Sequence, residues 1–525
     1  MTASLDPSDL LVDLVDALRA IIAAGDPASV ARLFEAARSI IPADGTVEAW
    51  TMPVEHILQR DPIVKAAAML PSIPAETEAI AAALAAIHIL DQWHGPLVDD
   101  LSGERKSFQT GHADVAARFD REQRFNTDPG KGVLVPRYDP DWRRRPDGEV
   151  VAAIEREYAG EIVRGLDIGR HLVCTSLIPP ELEVSHPNGG VGKPRRVTVR
   201  YVRPPASLAT VARPEVHRVM IAPILETPNE VAVTVTPDGK AYLVRPMNMS
   251  ARAARVLESA YDSEATVVFM PEMVLNSEGL KEFREILANR HAEYVQAHDF
   301  ELPALCWVIA GVLEERAVTS HNHVVVMTAD GEIVADQDKI TCWNMTVDEQ
   351  QQYSLNPPNG HTRPEFLREP IEPAAILWLI DLPSLGRLAI LVCADMDVPE
   401  PGDWLYANSG LDWIYAPIMD RTRVPMRTKG GVGPWIVRRA HRAACAAGAK
   451  AVVTNSMSLT PVVNATNVER GLDVKYPPET HCHVGLLLDA TNDQAVYMSV
   501  AVPLTATDVA EVRPWNQNWE PFLKN

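Results

Sequence analysis

From residue 216 onward, the sequence alternates short apolar runs with helical stretches. The runs are rich in Val, Ile and Leu and are too short for helices, which is typical of buried β-strands. They read HRVMIAPIL, ATVVFMPE, ALCWVIAGVLEE, RLAILVC, LDWIYAPIM, KAVVTNS and HVGLLLDA. Helical patterns over about 249–261 and 433–447 separate some of these runs. This alternation predicts a layered α/β domain over residues 216–525.

Two hairpins are expected inside that domain. VAVTVTPDGKAYLVRP contains two β runs around a Pro-Asp-Gly turn, and HNHVVVMTADGEIVADQDK turns at Asp330–Gly331. Asp-Gly between β runs is a strong hairpin signal. The domain should therefore combine parallel and antiparallel strand pairs.

The first 215 residues have a different texture. Residues 1–105 contain amphipathic or alanine-rich patterns over 7–41 and about 75–93, which predict a helical region. Residues 106–215 are charged and rich in Pro, Gly and Arg, which predicts an irregular α/β or linker region. We therefore expect a mainly α-helical N-terminal extension before the α/β domain, and a protein partner could bind there.

Composition excludes several classes of protein. The formal net charge is −21, so we do not expect a nucleic-acid partner, although basic clusters occur at Arg143–Arg145 and within 193–203. The six cysteines form no CxxC pair, which disfavours a disulfide framework or zinc ribbon and fits a reducing cytoplasm. No signal-peptide pattern is present, and the apolar runs are too short to cross a membrane. We expect a cytoplasmic protein outside the membrane.

Three polar residues follow apolar strands directly. Glu272 ends VVFMPE, Lys339 ends the second strand of the Gly331 hairpin, and Cys393 ends LAILVC. Functional sites of α/β proteins assemble at strand ends. Each residue alone has an ordinary explanation, namely a loop carboxylate, a surface lysine or a core cysteine.

Together, the three motifs resemble a known family. VVFMPE, DGEIVADQDKI and GRLAILVCADMDVPE are similar, in the same order, to the Glu, Lys and Cys signatures of the nitrilase, or carbon–nitrogen hydrolase, superfamily. The resemblance covers about 216–510. It implies an αββα sandwich, in which two β-sheets pack face to face between helices, and a homodimer or larger oligomer.

The chemistry explains these residue types. A free thiol is only a few per cent ionised at neutral pH, so a carboxylate within reach, Glu272, would take its proton during attack on a C–N substrate. Lys339 and the backbone N–H of Ala394 would hold the oxyanion that forms. The resemblance therefore implies a Glu272–Lys339–Cys393 triad and a thioester intermediate, with no cofactor and no metal.

The resemblance also implies a second glutamate after the lysine. The best match is Glu349, with Asp348 beside it. Asp420 and Arg421 follow a strand end and are candidate substrate contacts, the guanidinium being suited to a carboxylate. The residue after Cys393 is Ala394 where relatives have a bulky aromatic, and Cys445 stands where relatives have a glutamate. Specificity is expected in the loops around 355–372 and 419–432.

Two functions from different classes remain open. The first is hydrolysis of a small, non-peptide amide, carbamoyl or nitrile substrate. The second is a nitrilase-like module for binding or signalling within a multi-protein defence or regulatory system, with weak or no catalysis. Acyltransferase, glutamine-dependent synthetase and peptidase branches are not expected. The histidines His321, His323, His481 and His483 are interpreted as ordinary hairpin residues without a metal.

Overall fold

The computed structural model describes part of the chain in detail. The described residues are 133–136, 175–184, 195–202, 217–299, 301–315, 319–356, 362–382, 384–397, 405–406, 409–421, 435–491, 495–507, 509–515 and 519–521. The helices predicted over 7–41 and 75–93 lie outside them. The chain divides into two compact units, residues 1–182 with 402–410, and residues 183–401 with 411–525.

In the first unit, strands β1 (Val133–Pro136) and β2 (Thr175–Ile178) pair antiparallel. The unit boundary, between Leu182 and Glu183, falls within the next strand, β3 (Glu181–Val184). The remaining strands and helices belong to the second unit. Its first strands are β4 (Arg195–Val202), β5 (Arg218–Ile221), β6 (Val231–Val235), β7 (Tyr242–Pro246), β8 (Val267–Phe269), β9 (Leu275–Asn276), β10 (Trp307–Glu315), β11 (Ser320–Thr328), β12 (Ile333–Asp338), β13 (Asn344–Thr346) and β14 (Phe366–Arg368). The later strands are β15 (Ile376–Leu382), β16 (Gly386–Ile390), β17 (Trp413–Ile418), β18 (Lys450–Asn455), β19 (His481–Asp489), β20 (Val496–Pro503), β21 (Glu511–Pro514) and β22 (Glu520–Pro521). The helices are α1 (Ser250–Asp262), α2 (Ser277–Ala297), α3 (Val347–Gln352), α4 (Trp435–Ala447) and α5 (Leu459–Glu469).

Two mixed sheets form the body of the second unit. The first sheet has the order β12-β11-β10-β8-β5-β21, with β9 paired to β10. Its central strands β5, β8 and β10 are parallel, and β11, β12 and β21 add antiparallel edges. The second sheet runs β22-β20-β19-β18-β17-β16-β15-β4. Because β4 pairs with β15, this sheet takes in residues upstream of the predicted domain boundary at 216.

The two sheets pack face to face through one apolar core. Phe269 and Ile309 of the first sheet share this core with Leu388, Trp413 and Tyr415 of the second. A second core lies on the other face of the first sheet, under α1 and α2, and contains Leu257, Phe283 and Val325 among others. Helix α4 packs on strands β17 to β19 of the second sheet. The layers therefore follow the order helix, sheet, sheet, helix.

The α/β class is confirmed for the described residues, and both hairpins form as predicted. β6 and β7 pair around the Pro-Asp-Gly turn, where Gly239 has φ +72°. β11 and β12 pair around Gly331, which has φ +83°. α1 and α4 match the predicted helices within two residues. Among the described residues, no helix has the length and apolar character needed to cross a membrane.

Candidate active site

Glu272 lies three residues beyond the end of β8, a central strand of the first sheet. The chain is held there by backbone hydrogen bonds to the neighbouring strand β10: Gly311 N–H donates to Pro271 O at 3.1 Å, and Val274 N–H donates to Gly311 O at 3.1 Å. The close approach of these two backbone segments requires a glycine at position 311. A Cβ on residue 311 would lie 2.3 Å from Pro271 O and 2.7 Å from Glu272 Cα. Gly311 therefore fixes where Glu272 leaves the sheet.

The Glu272 carboxylate is buried and accepts three hydrogen bonds. Its Oε1 accepts from Lys339 Nζ and from Asn322 Nδ2, both at 2.8 Å. Its Oε2 accepts from Met419 N–H at 3.1 Å. Only 2% of the residue is exposed. These three donors fix the orientation of the carboxylate.

Lys339 directly follows strand β12 and lies between two carboxylates. Its Nζ is 2.8 Å from Glu272 Oε1 and 2.8 Å from Glu369 Oε2. Burial alone lowers the pKa of Lys339, but the charges of Glu272 and Glu369 outweigh burial and hold that pKa well above its ordinary value. Lys339 is therefore a fixed cation inside the protein.

Glu369, rather than Glu349, is the second glutamate at Lys339, which corrects the prediction. Glu349 is the third residue of helix α3, and its Oε2 accepts from Thr346 N–H at 2.8 Å while Thr346 caps the helix. Its carboxylate thus belongs to a capping box. Glu369 follows β14, which pairs with β13 close behind Lys339, and this pairing brings its carboxylate to the ammonium.

Glu369 is held as firmly as Glu272. Besides Lys339, it accepts from Asn322 Nδ2 at 2.9 Å and from Trp343 N–H at 2.9 Å. Asn322, on β11, therefore donates to both glutamates. Neither Glu369 nor Asn322 was predicted from the sequence. Asn322 carries only a weak signal, because it is a buried amide in the polar first half of β11, just before the apolar run VVVM.

Cys393 begins a short 3-10 turn, Cys393–Asp397, beyond strand β16. Its φ of +49° lies in the left-handed region, where a non-glycine residue costs about 1–3 kcal/mol. Asp395 stabilises the turn: its buried carboxylate accepts from Val392 N–H at 3.0 Å and from Thr341 N–H at 2.7 Å. Asp395 also accepts from Ile340 N–H at 3.1 Å. This one carboxylate therefore ties the cysteine turn to the segment after Lys339.

The Cys393 thiol shares the electrostatic environment of the two glutamates and Lys339. Burial and the charge of Glu272 raise the pKa of Cys393 well above its ordinary value, and Lys339 offsets part of that rise. The resting sulfur is therefore protonated at neutral pH. The structure thus brings the three residues Glu272, Lys339 and Cys393 into one neighbourhood, with Ala394 fully buried after the cysteine.

An aromatic wall lies beside these residues. Tyr242, on β7, is buried, and burial together with the charges of Glu369 and Glu272 raises its pKa well above the ordinary value. Tyr242 packs in an apolar cluster with Met345, Leu355 and Leu367, against which Trp343 and Tyr353 are also packed.

Asp420 and Arg421 lie beyond strand β17. Asp420 N–H donates to Asn455 Oδ1 at 2.9 Å, and Asp420 Oδ1 accepts from Arg421 N–H at 2.8 Å. Burial lowers the pKa of Arg421, but Tyr353 and Asp420 outweigh it and the pKa lies above its ordinary value. Arg421 is thus held near the aromatic wall, and a contact with substrate stays a prediction.

No family model and no curated protein matches the chain. Solved structures do show similarity. A carbon–nitrogen hydrolase from Helicobacter pylori aligns at 14% identity and TM-score 0.32, covering 57% of this chain and 86% of its own. The NitFhit protein of C. elegans aligns at 14% identity and TM-score 0.30, and the match covers 55% of this chain but only 61% of NitFhit. An amidase from Nesterenkonia sp. aligns at 14% identity and TM-score 0.30, covering 56% and 93%. Similarity at this level carries no argument about activity, which rests on the geometry of the site.

Proposed function

We propose that this protein hydrolyses a small, non-peptide carbon–nitrogen bond, in an amide, carbamoyl or nitrile group, through a thioester on Cys393. One observation carries the proposal: a buried Glu272–Lys339 pair, with Nζ and Oε1 2.8 Å apart, shares its surroundings with the thiol of Cys393. A buried carboxylate, a fixed ammonium and a thiol at a strained turn are the groups that acyl transfer from nitrogen requires.

The first half of the reaction forms the thioester. Because the thiol is protonated at rest, Glu272 takes its proton as sulfur attacks the amide carbon. The negative charge that develops on the amide oxygen is stabilised by Lys339 and the backbone N–H of Ala394. Glu272 then gives the proton to the leaving nitrogen, the C–N bond breaks, and ammonia or an amine departs.

The second half frees the acid. Glu272 takes a proton from a water molecule that attacks the thioester carbon, and the C–S bond breaks. The proton returns to the sulfur of Cys393, so that the acid leaves and the enzyme is restored. In this scheme Glu369 and Asn322 are positioning residues, since they hold Lys339 and Glu272 and touch no reacting atom.

Specificity is proposed to come from the residues around this centre. The aromatic wall that includes Tyr242 would contact the acyl group, and Arg421 would contact a carboxylate on the substrate. Homo-oligomer formation remains part of the same proposal. The alternative, a binding or signalling module, predicts a pocket that binds small molecules without turning them over.

A substrate panel tests the proposal. Purified full-length protein is offered ω-amides, carbamoylated amines and nitriles while ammonia release is followed, with Cys393→Ala as the comparison. Cys445→Ala, which removes a buried thiol on α4, is the matched control. We expect release from at least one class, abolished by Cys393→Ala and retained by Cys445→Ala.

Two results would count against the proposal. Release that persists in Cys393→Ala would remove this sulfur from the mechanism. Absence of release from every class, combined with no acetyl adduct on Cys393 after treatment with p-nitrophenyl acetate, would favour the binding module.

A further inference from the structure

A second polar cluster lies on the first sheet, on the face that carries the helices. It contains Glu314 on β10, His321 and His323 on β11, and Asp336 and Asp338 on β12. In the strand register Glu314 is opposite His321, and His323 is opposite Asp338. The two imidazole rings stack with centroids 4.1 Å apart. The mechanism proposed for Cys393 uses none of these five residues.

Each histidine directs one ring nitrogen to an aspartate. His321 Nε2 contacts Asp338 Oδ1, and His323 Nδ1 lies 2.6 Å from Asp336 Oδ1. Because a carboxylate only accepts, the nitrogen facing it carries the proton. The second ring nitrogens are His321 Nδ1 and His323 Nε2.

Both of these nitrogens are directed at Glu314. His321 Nδ1 is 3.3 Å from Glu314 Oε2, and His323 Nε2 is 3.9 Å from Glu314 Oε1. His323 is only 3% exposed, and within the described part of the chain its Nε2 has no hydrogen-bond partner. His321 Nδ1 already hydrogen-bonds to Glu314, whereas a cation placed between His323 Nε2 and the carboxylate would give that buried nitrogen a partner.

We propose that Glu314, His321 and His323 bind a divalent transition-metal ion of the Zn²⁺ class. Tetrahedral zinc with ligand bonds of 2.0–2.1 Å separates its ligand atoms by about 3.3 Å. Here His321 Nδ1 is 3.3 Å from Glu314 Oε2 and His323 Nε2 is 3.9 Å from Glu314 Oε1, and one ligand atom from each residue lies within 4.8 Å of the other two. To bind one ion, the carboxylate and the two stacked rings would turn toward a common centre. Imidazole nitrogen with a carboxylate oxygen is a donor set that zinc accepts.

Asp336 and Asp338 complete the site as outer partners. Metal-binding histidines usually donate their other N–H to a carboxylate, which fixes the tautomer and the ring orientation. The side chain of Glu314 is 35% exposed, so an ion can enter from solvent and a water can fill the fourth position. The ion would join β10 to β11 at the β12 edge of the sheet.

The test uses the full-length protein with Cys393→Ala as background, so that the reactive thiol is removed. After treatment with a chelator, the protein is titrated with Co²⁺ as a spectroscopic probe. We expect one equivalent to bind with ligand-field bands of a nitrogen and oxygen site, without sulfur-to-cobalt charge transfer. Added Zn²⁺ should displace the cobalt.

Variants assign the ligands. Glu314→Gln and His321→Gln should abolish saturable cobalt binding, and Asp338→Asn should weaken it by about 10–100-fold. Glu315→Gln and His481→Gln, which change neighbouring or similar exposed residues, should leave the affinity unchanged. Circular dichroism checks that each variant is folded. Because Glu314 is partly exposed, Glu314→Gln should disturb the folded structure least.

Three outcomes would overturn the proposal. One is the absence of saturable cobalt binding by the background protein. Another is unchanged affinity in both Glu314→Gln and His321→Gln. The third is a sulfur-to-cobalt band, which would place the metal on a cysteine. Because the readout is spectroscopic, these outcomes are independent of whether the protein hydrolyses any substrate.

Discussion

Replacing Glu369 by Gln tests whether Glu369, and not Glu349, is the second carboxylate paired with Lys339. Each oxygen of Glu369 accepts two hydrogen bonds: Oε1 from Lys339 Nζ and Asn322 Nδ2, and Oε2 from Lys339 Nζ and Trp343 N–H. In glutamine an NH₂ group replaces one of these oxygens, so the two donors that bonded to that oxygen would face a third donor. A hydrogen bond to a charged group contributes about 1.5–3 kcal/mol. The loss of two predicts that Glu369→Gln lowers the free energy of unfolding by about 3–5 kcal/mol, as expected for breaking a buried ion pair.

Glu349→Gln is the matched control, because it makes the same chemical change ten residues from the lysine in sequence, at a carboxylate that caps helix α3. Glutamine is as acceptable as glutamate at the third position of a capping box, so we expect a loss below about 0.5 kcal/mol. The assay is urea unfolding followed by tryptophan fluorescence, with both variants measured beside the wild type. Equal losses in the two variants, or a loss below about 1 kcal/mol in Glu369→Gln, would refute the assignment of Glu369.

Three other changes give separate predictions. Glu272→Gln should slow acetylation of Cys393 by p-nitrophenyl acetate by about 10²–10⁴-fold, measured as the nitrophenol burst; an unchanged burst would exclude Glu272 as the base. Gly311→Ala places a Cβ 2.3 Å from Pro271 O, so it should destabilise the protein by about 1–3 kcal/mol and reduce the same burst, whereas wild-type behaviour in both assays would contradict this packing. Burial, offset by Lys339 and by backbone hydrogen bonds, raises the pKa of Asp395 from 3.8 to about 7. The free energy of unfolding of the wild type, relative to Asp395→Asn, should therefore fall as pH rises from about 4 to 7, by at most about 4 kcal/mol, and a flat difference between the two urea titrations would contradict the raised pKa.

Much of the α/β unit was predictable because its signals are local. The run ATVVFMPE became β8, RLAILVC became β16, and the turn at Gly331 joined β11 to β12. Helix α2 was not predicted, although it is 21 residues long. Its buried residues are confined to the first half, Gly279, Leu280, Phe283 and Leu287, so a long charged stretch conceals the apolar face.

The second glutamate could not be placed from sequence proximity. Glu369 reaches Lys339 only because β13 and β14 pair, and no local pattern announces a contact between residues thirty positions apart. One local signal did argue against Glu349. Thr346 and Glu349 have the spacing of a capping box, which assigns that carboxylate to the start of α3. Helix capping was the better interpretation of this glutamate.

The raised pKa of Cys393 favours a thiol that loses its proton during attack over a thiolate that exists beforehand. A preformed thiolate needs nearby positive charge without competing negative charge. Here Lys339 is the cation, but it lies between the carboxyl groups of Glu272 and Glu369, which oppose its effect on the thiol. Such surroundings, together with burial, raise the pKa of Cys393 and keep its proton in place. In the proposed reaction, nucleophilic attack would therefore be coupled to proton transfer, and Glu272 is the carboxylate whose charge acts most strongly on that thiol. The proposed task of Lys339 is then to stabilise the oxyanion and not to ionise the sulfur beforehand.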